Sequence, residues 1–231
     1  MLKKHRYVGV DFSEGETIWK YFPFPAFLAL LEDGKLYFTR ANCFADPNEF
    51  PVFEADAKIV QLTKDDYEKE IIKFKNGTFV NCWRLSDYES FGMWNAYADA
   101  ATGVAIKSDV RSLFGAFNSI PENNNIPITA AKVDYIDNYV GMSQKYGKPF
   151  NFYYVALSKT KPYENEKELR LLYEDYQMDF QGNSAGFDFQ MQTLIKEVYI
   201  GSSAKPYVKN LVESILKKRG INVPVIESIV K

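Results

Sequence analysis

Lys161–Leu172 reads KPYENEKELRLL, and this stretch does most to define the fold and function predicted for the chain. Glu166, Glu168 and Arg170 stand at every second position before an apolar run. Side chains two apart in a strand point the same way. As a strand, the stretch would place two carboxylates about 7 Å apart on one face, where they repel unless a cation, a proton or a ligand lies between them. It therefore predicts a paired-carboxylate site, with a solvated edge strand in which Arg170 pairs with Glu168 as the plainer alternative.

Strand and helix patterns follow each other irregularly along the rest of the chain. Strands are predicted at 16–21, 35–39, 78–85, 102–107, 129–136, 150–157, 195–200 and 223–229, and helices at 24–32, 65–75, 109–117, 137–146 and 203–219. About seven or eight strands with five or six helices, without strict alternation, predict the α+β class. We expect a mixed sheet flanked by helices and closed by a strand-helix-strand unit.

The domain organisation follows from the same pattern. Residues 1–15 are predicted to be an N-terminal tail and residues 16–231 a single domain, a division that 231 residues allow. The stretch 118–128 contains PENNNIP, which is typical of a loop and is the best candidate for a lid or a subdomain boundary.

Composition limits the classes of function. Hydrophobic residues make up 46% and charged residues 25%, as in an ordinary globular protein, and aromatic residues reach 16%. The core should therefore be rich in rings, and some tyrosines should line a cleft. The formal net charge of −2 makes free nucleic-acid binding an unexpected function.

Several absences narrow the chemistry further. The sequence has no apolar run of about 18 residues and no secretory signal, so we expect a cytoplasmic protein without a membrane span. Cys43 and Cys82 lie far apart and His5 is the only histidine, which disfavours a zinc ribbon, a multi-histidine metal site and a Ser-His-Asp triad. Acid–base chemistry would then use carboxylates, tyrosine or lysine.

Two further segments carry candidate ligand-binding residues. Asp46 and Glu49 bracket a D-P-N-E turn, where they either cap one helical turn or present carboxylates at the mouth of a cleft. Ser86 and Glu89 form an S-x-x-E pattern that predicts the start of a helix. That helix would carry Phe91, Trp94 and Tyr97, a stripe typical of core packing, although Trp94 is also the best tryptophan candidate for a cleft.

The order of these segments resembles the bacterial domain of unknown function 2971 family. The resemblance rests on WKY, GKLYFTRANCFADPNEF, NCWRLS, MWNAYADAATGVAIK and KPYENEKELRLL, and covers about residues 18–225. Its most specific parts are D-P-x-E at 46–49, Trp94 with Gly103-Val104, and E-x-E-x-R at 166–170. The resemblance implies a family without an established general activity.

A more distant similarity is to ADP-ribosyltransferase-type domains. The opening strand, helix, G-x-L and strand look like the start of such domains, and the late E-x-E is similar to their catalytic glutamate motif. The similarity implies NAD as the first candidate ligand, Glu168 as the catalytic carboxylate and Glu166 as the group that orients the acceptor. Tyr21, Trp94 or Tyr97 would stack on a ring of the ligand. The first strand departs from that pattern, because Lys20 and Tyr21 stand where such enzymes hold the ribose with His or Arg.

Three hypotheses remain open from the sequence. The first is an NAD-type transferase or glycohydrolase that uses Glu166 and Glu168 on a nucleotide-like ligand. The second is a non-catalytic binding module of a stress or phage-defence locus, with an unknown protein or ligand partner anchored by Arg40, Arg84 and Arg170. The third is a magnesium-dependent hydrolase in which four carboxylates hold the ion, those of Asp46, Glu49, Glu166 and Glu168.

Overall fold

The computed structural model describes residues 1–4, 11–44, 46, 49–50, 54–137, 152–175, 177 and 179–230. Its strands are β1 Lys3–Lys4, β2 Thr17–Phe22, β3 Lys35–Arg40, β4 Thr78–Leu85, β5 Val104–Asp109, β6 Ile128–Lys132, β7 Asp134–Ile136, β8 Ser158–Thr160, β9 Glu168–Glu174, β10 Ser184–Asp188, β11 Glu197–Ile200 and β12 Val225–Glu227. Its helices are α1 Phe24–Asp33, α2 Glu54–Ile59, α3 Lys64–Gly77, α4 Phe91–Tyr97, α5 Val110–Asn118, α6 Phe152–Ala156, α7 Met191–Leu194 and α8 Pro206–Lys218. Short 3-10 helices lie at Ala41–Cys43, Pro121–Asn125 and Lys161–Glu166.

A large mixed sheet organises the chain, and it divides at β4. The main path runs β1-β6-β9-β4-β2-β5-β11-β12, while β3 pairs with β4 and carries β10. One edge of β4 pairs with β9 from residue 78 to residue 84. The other edge pairs with β3 only at residues 79–80 and with β2 only at residues 84–85. Among the described strands, residues 81–83 therefore have a partner on one edge only, and a slit opens there between β2 and β3.

Both faces of the sheet are covered, which explains the nearly continuous apolar sequence of its central strands. The larger apolar cluster joins α1 and α5 to one face through residues such as Phe27, Leu31 and Leu113. The second cluster packs α3 and α6 on the opposite face through Tyr67 and Val155 among others. The slit between β2 and β3 thus lies between two packed layers, in a position where a ligand can be enclosed.

Local contacts at the helix ends explain where several helices begin or end. Gly34 ends α1 at φ 65°, the left-handed conformation that glycine adopts without steric cost. The Asp109 side chain accepts the Ser112 backbone N–H at the start of α5. The predicted Ser86–Glu89 capping box is wrong: Ser90 caps α4 instead, by accepting the Met93 backbone N–H at 3.4 Å.

The α+β class and the closing unit are confirmed. β11, α8 and β12 form the expected strand-helix-strand, with β11 and β12 parallel. The aromatic strand predicted at 150–157 is wrong in the described residues, because 152–156 form α6. Tyr154, Val155 and Ala156 are all buried, and a short apolar run does not distinguish a buried strand from a buried helix.

The strand predicted at 129–136 is divided, and its two parts belong to different sheets. β6 lies in the large sheet, whereas β7 pairs in parallel with β8 in a two-stranded sheet. Because β7 leaves the large sheet, its partner β8 lies beside the slit. The helix predicted at 137–146 lies outside the described residues after Asp137.

Two surface segments were predicted to be a tail and a lid. β1 pairs in parallel with Thr129–Ala130, and the Met1 amino group donates to the Asn123 carbonyl at 2.7 Å. The Asn123 side chain is buried and donates to the carbonyls of Phe117 and Asp188. These contacts tie residues 1–4 and the 118–128 stretch to the main sheet, and a lid function for 118–128 stays a prediction. In the part of the chain that the structure describes, no helix has the length and apolar character needed to cross a membrane.

Candidate functional site

A cavity of about 700 Å³ opens at the slit between β2 and β3. This volume lies within the range of small-molecule sites. Its wall contains aromatic rings and a dense set of charged side chains. The lining residues that matter below are Trp19, Lys20, Tyr21, Asp46, Glu49, Cys82, Trp83, Arg84, Tyr97, Lys159, Tyr163, Glu166, Glu168 and Arg170.

Three carboxylates and two cations form a buried ion-pair network in one wall. Lys159 Nζ contacts Glu49 Oε1 at 2.9 Å, Glu166 Oε2 at 2.6 Å and Glu168 Oε1 at 3.0 Å. Arg170 Nε donates to Glu168 Oε2 at 2.7 Å, and its Nη2 donates to both oxygens of Glu49 at 3.0 and 2.9 Å. With every group ionised the network carries one net negative charge, and this charge faces the cavity.

Local backbone geometry brings the two glutamates together. Glu166 ends a 3-10 helix rather than lying on the strand, so the prediction that residues 166, 168 and 170 share one strand face is wrong for Glu166. Lys167 between them adopts φ 46°, an uncommon left-handed conformation for a residue with a side chain. Its carbonyl accepts the Leu85 backbone N–H at 2.8 Å, which fixes this turn against β4. The turn swings Glu166 onto Lys159 beside Glu168.

The two glutamates differ in protonation. Burial, together with a hydrogen bond shared with Glu168, raises the pKa of Glu166 to about 7. Burial opposes ionisation of Glu168 as well, but the charge and hydrogen bonds of Arg170 hold its pKa well below the usual range. Glu168 is therefore a permanent carboxylate at neutral pH, whereas Glu166 exchanges a proton there.

The cations of the network are fully compensated. Burial alone would lower the pKa of Lys159 and Arg170, but the charges of Glu168 and Glu49 raise both pKa values above their ordinary range. Arg170 is 0% exposed, and its Nη1 donates to the Ala156 carbonyl at 2.7 Å. A charge buried this deeply is tolerated because every side of the guanidinium has a partner.

Tyrosines surround the glutamate pair. The Tyr97 hydroxyl donates to Glu166 Oε1 at 3.3 Å, and the Tyr163 ring lies 4.6 Å from Lys159 Nζ. The Tyr135 hydroxyl accepts the Glu168 backbone N–H at 2.9 Å, which fixes the first residue of β9. Tyr97 is 45% exposed, so it stands at the opening of the cavity, where it can contact a ligand.

Seven of the nine residues predicted from the sequence line this cavity: Tyr21, Asp46, Glu49, Tyr97, Glu166, Glu168 and Arg170. Arg40 does not line it, because its guanidinium donates to the carbonyls of Asn76, Phe180 and Gly182 and ties β3 to neighbouring loops. Trp94 does not line it either. Its ring is buried edge-on against Tyr21, and its Nε1 donates to Glu89 Oε2 at 3.0 Å.

Sequence reasoning missed Lys159, the residue that holds the three carboxylates together. The repulsion expected between Glu166 and Glu168 called for a cation, but Lys159 belongs to β8 of the small sheet, and its approach depends on the division of the predicted 129–136 strand. Lys20 and Trp83 were also passed over as cavity residues, because the slit arises from strand pairings that no local pattern shows.

The geometry also bears on the binding-module hypothesis and on the magnesium-dependent hydrolase hypothesis. Arg40 and Arg170 are committed to protein partners, which leaves Arg84 as the remaining arginine of the proposed ligand anchor. Glu49, Glu166 and Glu168 all contact Lys159. Within the described residues, no group of three or more histidine, cysteine, aspartate or glutamate side chains is arranged to hold a metal ion.

Comparison with known proteins confirms the resemblance to a family of unknown function. The model of the family "Protein of unknown function (DUF2971)" matches residues 93–171, which run from α4 to the middle of β9 and include both glutamates. No curated protein matches the chain.

Solved structures of DarT from Thermus sp. 2.9 match this chain at low identity and low TM-score. The complex with NAD+ has 9% identity and a TM-score of 0.40, covering 94% of this chain and 98% of that one. The complex with carba-NAD+ has 11% identity and a TM-score of 0.38 over 94% and 97% of the two chains. The complex with ADP-ribosylated ssDNA has 12% identity and a TM-score of 0.40 over 96% and 98%. These TM-scores are too low to assign a ligand to this chain. They do not support the expectation that free nucleic-acid binding is absent.

Proposed function

We propose that this protein is an enzyme that cleaves a glycosidic bond of a nucleotide-like substrate, with NAD as the first candidate, as a transferase or glycohydrolase. One observation carries the proposal: two adjacent carboxyl groups, one held ionised and one exchanging a proton near pH 7, lie together in the wall of a ligand-sized cavity. Pairs of carboxyl groups whose pKa values are pushed apart are the usual equipment for this chemistry.

Glu168 would stabilise the positive charge that develops in the reaction. In NAD the bond from the nicotinamide nitrogen to ribose C1′ breaks, its electron pair leaves with nicotinamide, and C1′ becomes oxocarbenium-like. A carboxylate that is already ionised and held by Arg170 and Lys159 needs no reorganisation at that moment, which is the condition for strong electrostatic stabilisation.

Glu166 would handle the proton of the acceptor. An alcohol, amide or water that attacks C1′ must lose one proton as its new bond to carbon forms, and ionised Glu166 would take it. A pKa of about 7 suits this role, because general bases work best when their pKa lies near the operating pH. Contacts with Lys159 and Tyr97 hold the carboxylate at the cavity wall.

The aromatic part of the wall suits a planar substrate. Trp19 is stacked near Tyr21 with ring centroids 6.3 Å apart, and both line the cavity together with Trp83 and Tyr97. Rings in an enclosed site favour flat groups such as a nicotinamide or a purine, since they supply a large apolar contact at low conformational cost.

Nicotinamide release from NAD⁺ tests the proposal. Pure protein would be incubated with NAD⁺, with and without cell lysate as a source of acceptors, and the products measured by mass spectrometry. We expect release by the wild type and a loss of at least about 100-fold in Glu168→Gln. Glu164→Gln, an exposed change on the 3-10 helix that precedes β9, is the control and should retain full activity. No release by folded wild type, or equal release by Glu168→Gln, would refute the assignment.

A further inference from the structure

The cavity contains a lysine without an acidic partner at the slit. Lys20 Nζ donates to the Cys82 carbonyl at 2.8 Å and lies 5.6 Å from the centroid of the Trp83 ring. Among the described residues no carboxylate lies within ion-pair distance of it. Strand alternation places Lys20 and Trp83 on one face of the sheet and Glu168 on the other, so the lysine reaches the cavity through the gap between β2 and β3.

Two neighbouring side chains each carry a buried N–H without an acceptor among the described residues. The indole Nε1 of Trp83 is buried and has no hydrogen-bond partner among the described residues. Arg84 is 8% exposed, and its Nη1 donates to the Tyr88 carbonyl at 3.0 Å, while its Nε has no described partner. Buried donors are almost always paired in folded proteins, so these two unpaired N–H groups on residues of one cavity wall require an explanation.

The glutamate wall shows how this protein compensates a buried cation. Lys159 and Arg170 are buried cations whose carboxylate partners raise their pKa values. Burial instead lowers the pKa of Lys20 to about 8, against weaker opposing effects of Cys82 and Glu168, and burial also lowers the pKa of Arg84. A buried cation without a counter-ion is costly, and a bound anion would remove that cost.

We propose that Lys20 and the indole N–H of Trp83, with Arg84 as a second cation of the same cavity, form a subsite for a phosphate-class anionic group of the ligand. This proposal rests on the proposed function, because it places both ends of one substrate in one cavity. The wall that holds Glu166 and Glu168 then contacts the glycosidic bond that breaks. The cationic subsite binds a phosphorylated nucleoside more tightly than a neutral one.

Binding of inert probes tests the subsite without turnover. Calorimetric titration would compare ADP with adenosine, which lacks the phosphates. We expect ADP to bind wild type at least about tenfold more tightly, because hydrogen bonds to charged groups are strong in enclosed sites. Lys20→Met should lose most of that preference and Lys20→Arg should keep it. Lys69→Met, at an exposed lysine paired with Asp66, is the matched control and should bind like wild type.

The pH dependence of ADP binding gives a second readout. Affinity should fall above pH 8 as Lys20 loses its proton, and this fall should be absent in Lys20→Arg. The charged and titratable groups facing Lys20 are Cys82 and Glu168, and neither gains or loses charge between pH 7 and 9, because burial raises the pKa of Cys82 and Arg170 lowers that of Glu168. Glu166 in the same cavity has a pKa of about 7 and is largely ionised by pH 8, so its charge changes little over the range in which Lys20 loses its proton.

The outcomes separate this proposal from the proposed function. Equal affinities for ADP and adenosine in wild type, no binding of either, or an undiminished preference in Lys20→Met would overturn the subsite. None of these results would affect the nicotinamide-release test of Glu168→Gln, so the two proposals can fail separately. Lys20→Met removes no ion pair, so the variant should fold, and a thermal melt would verify this.

Discussion

Glu166→Gln should stabilise the folded protein at pH 8. Above pH 7 the Glu166 carboxyl is ionised in both the folded and the unfolded chain, but its charge is more costly in the folded chain because burial and Glu168 oppose it. Glutamine has nearly the same shape and carries no charge. A pKa of about 7 in place of 4.5 corresponds to roughly 3 kcal/mol, since each pKa unit is worth about 1.4 kcal/mol.

The sign and pH window of this effect follow from proton linkage. Between pH 4.5 and 7 the folded protein binds more protons at Glu166 than the unfolded chain, so its stability falls as pH rises through that window. Below pH 4.5 the residue is protonated in both states and glutamine brings no advantage. The stabilisation should therefore be about 3 kcal/mol at pH 8 and under about 1 kcal/mol at pH 5.

Urea unfolding followed by tryptophan fluorescence at both pH values measures the effect. Glu164→Gln, which changes an exposed residue on the same 3-10 helix, is the control and should leave stability within about 0.5 kcal/mol of wild type at either pH. A gain of the same size at pH 5 and pH 8 would show that ionisation is not its cause. No gain at pH 8 would refute the protonation state assigned to Glu166.

Two further predictions concern the groups around this pair. Arg170→Met should lower the free energy of unfolding in urea by about 3–5 kcal/mol, because it leaves two buried carboxylates without their main partner. Arg111→Met, at an exposed ion pair, should lower it by under about 1 kcal/mol. Similar losses in the two variants would contradict the buried network. Iodoacetamide should modify exposed Cys43 well before Cys82, since burial raises the pKa of the Cys82 thiol. Peptide mass spectrometry measures the two rates, and equal rates would contradict the placement of Cys82 in the cavity wall.

Local patterns were sufficient for several of the elements around the site. The strand predicted at 78–85 is observed as β4 Thr78–Leu85, and the helix predicted at 24–32 is observed as α1 Phe24–Asp33. The late glutamates were recognised because their charge pattern is unusual before an apolar run. Such signals lie within a few residues of each other, which is the range over which sequence periodicity is informative.

Other features of the site depend on contacts between distant segments. Lys159 meets the glutamates only because β8 forms a separate small sheet with β7, and the slit exists because β2 and β3 share one edge of β4. Arg40 was an equally reasonable ligand anchor in the sequence, yet carbonyls more than 30 residues away bind its guanidinium. Strand order and long-range polar partners are not encoded in local periodicity.

The pH dependence of nicotinamide release tests the central claim most directly, because it requires both turnover and the assigned role of Glu166. The rate of release at low NAD⁺ concentration, measured from pH 5.5 to 8, should rise about tenfold per pH unit and level off near pH 7, where Glu166 becomes the ionised base. In Glu166→Gln the remaining rate should be low and independent of pH over this range. A wild-type rate that is flat or falls as pH rises would contradict the account.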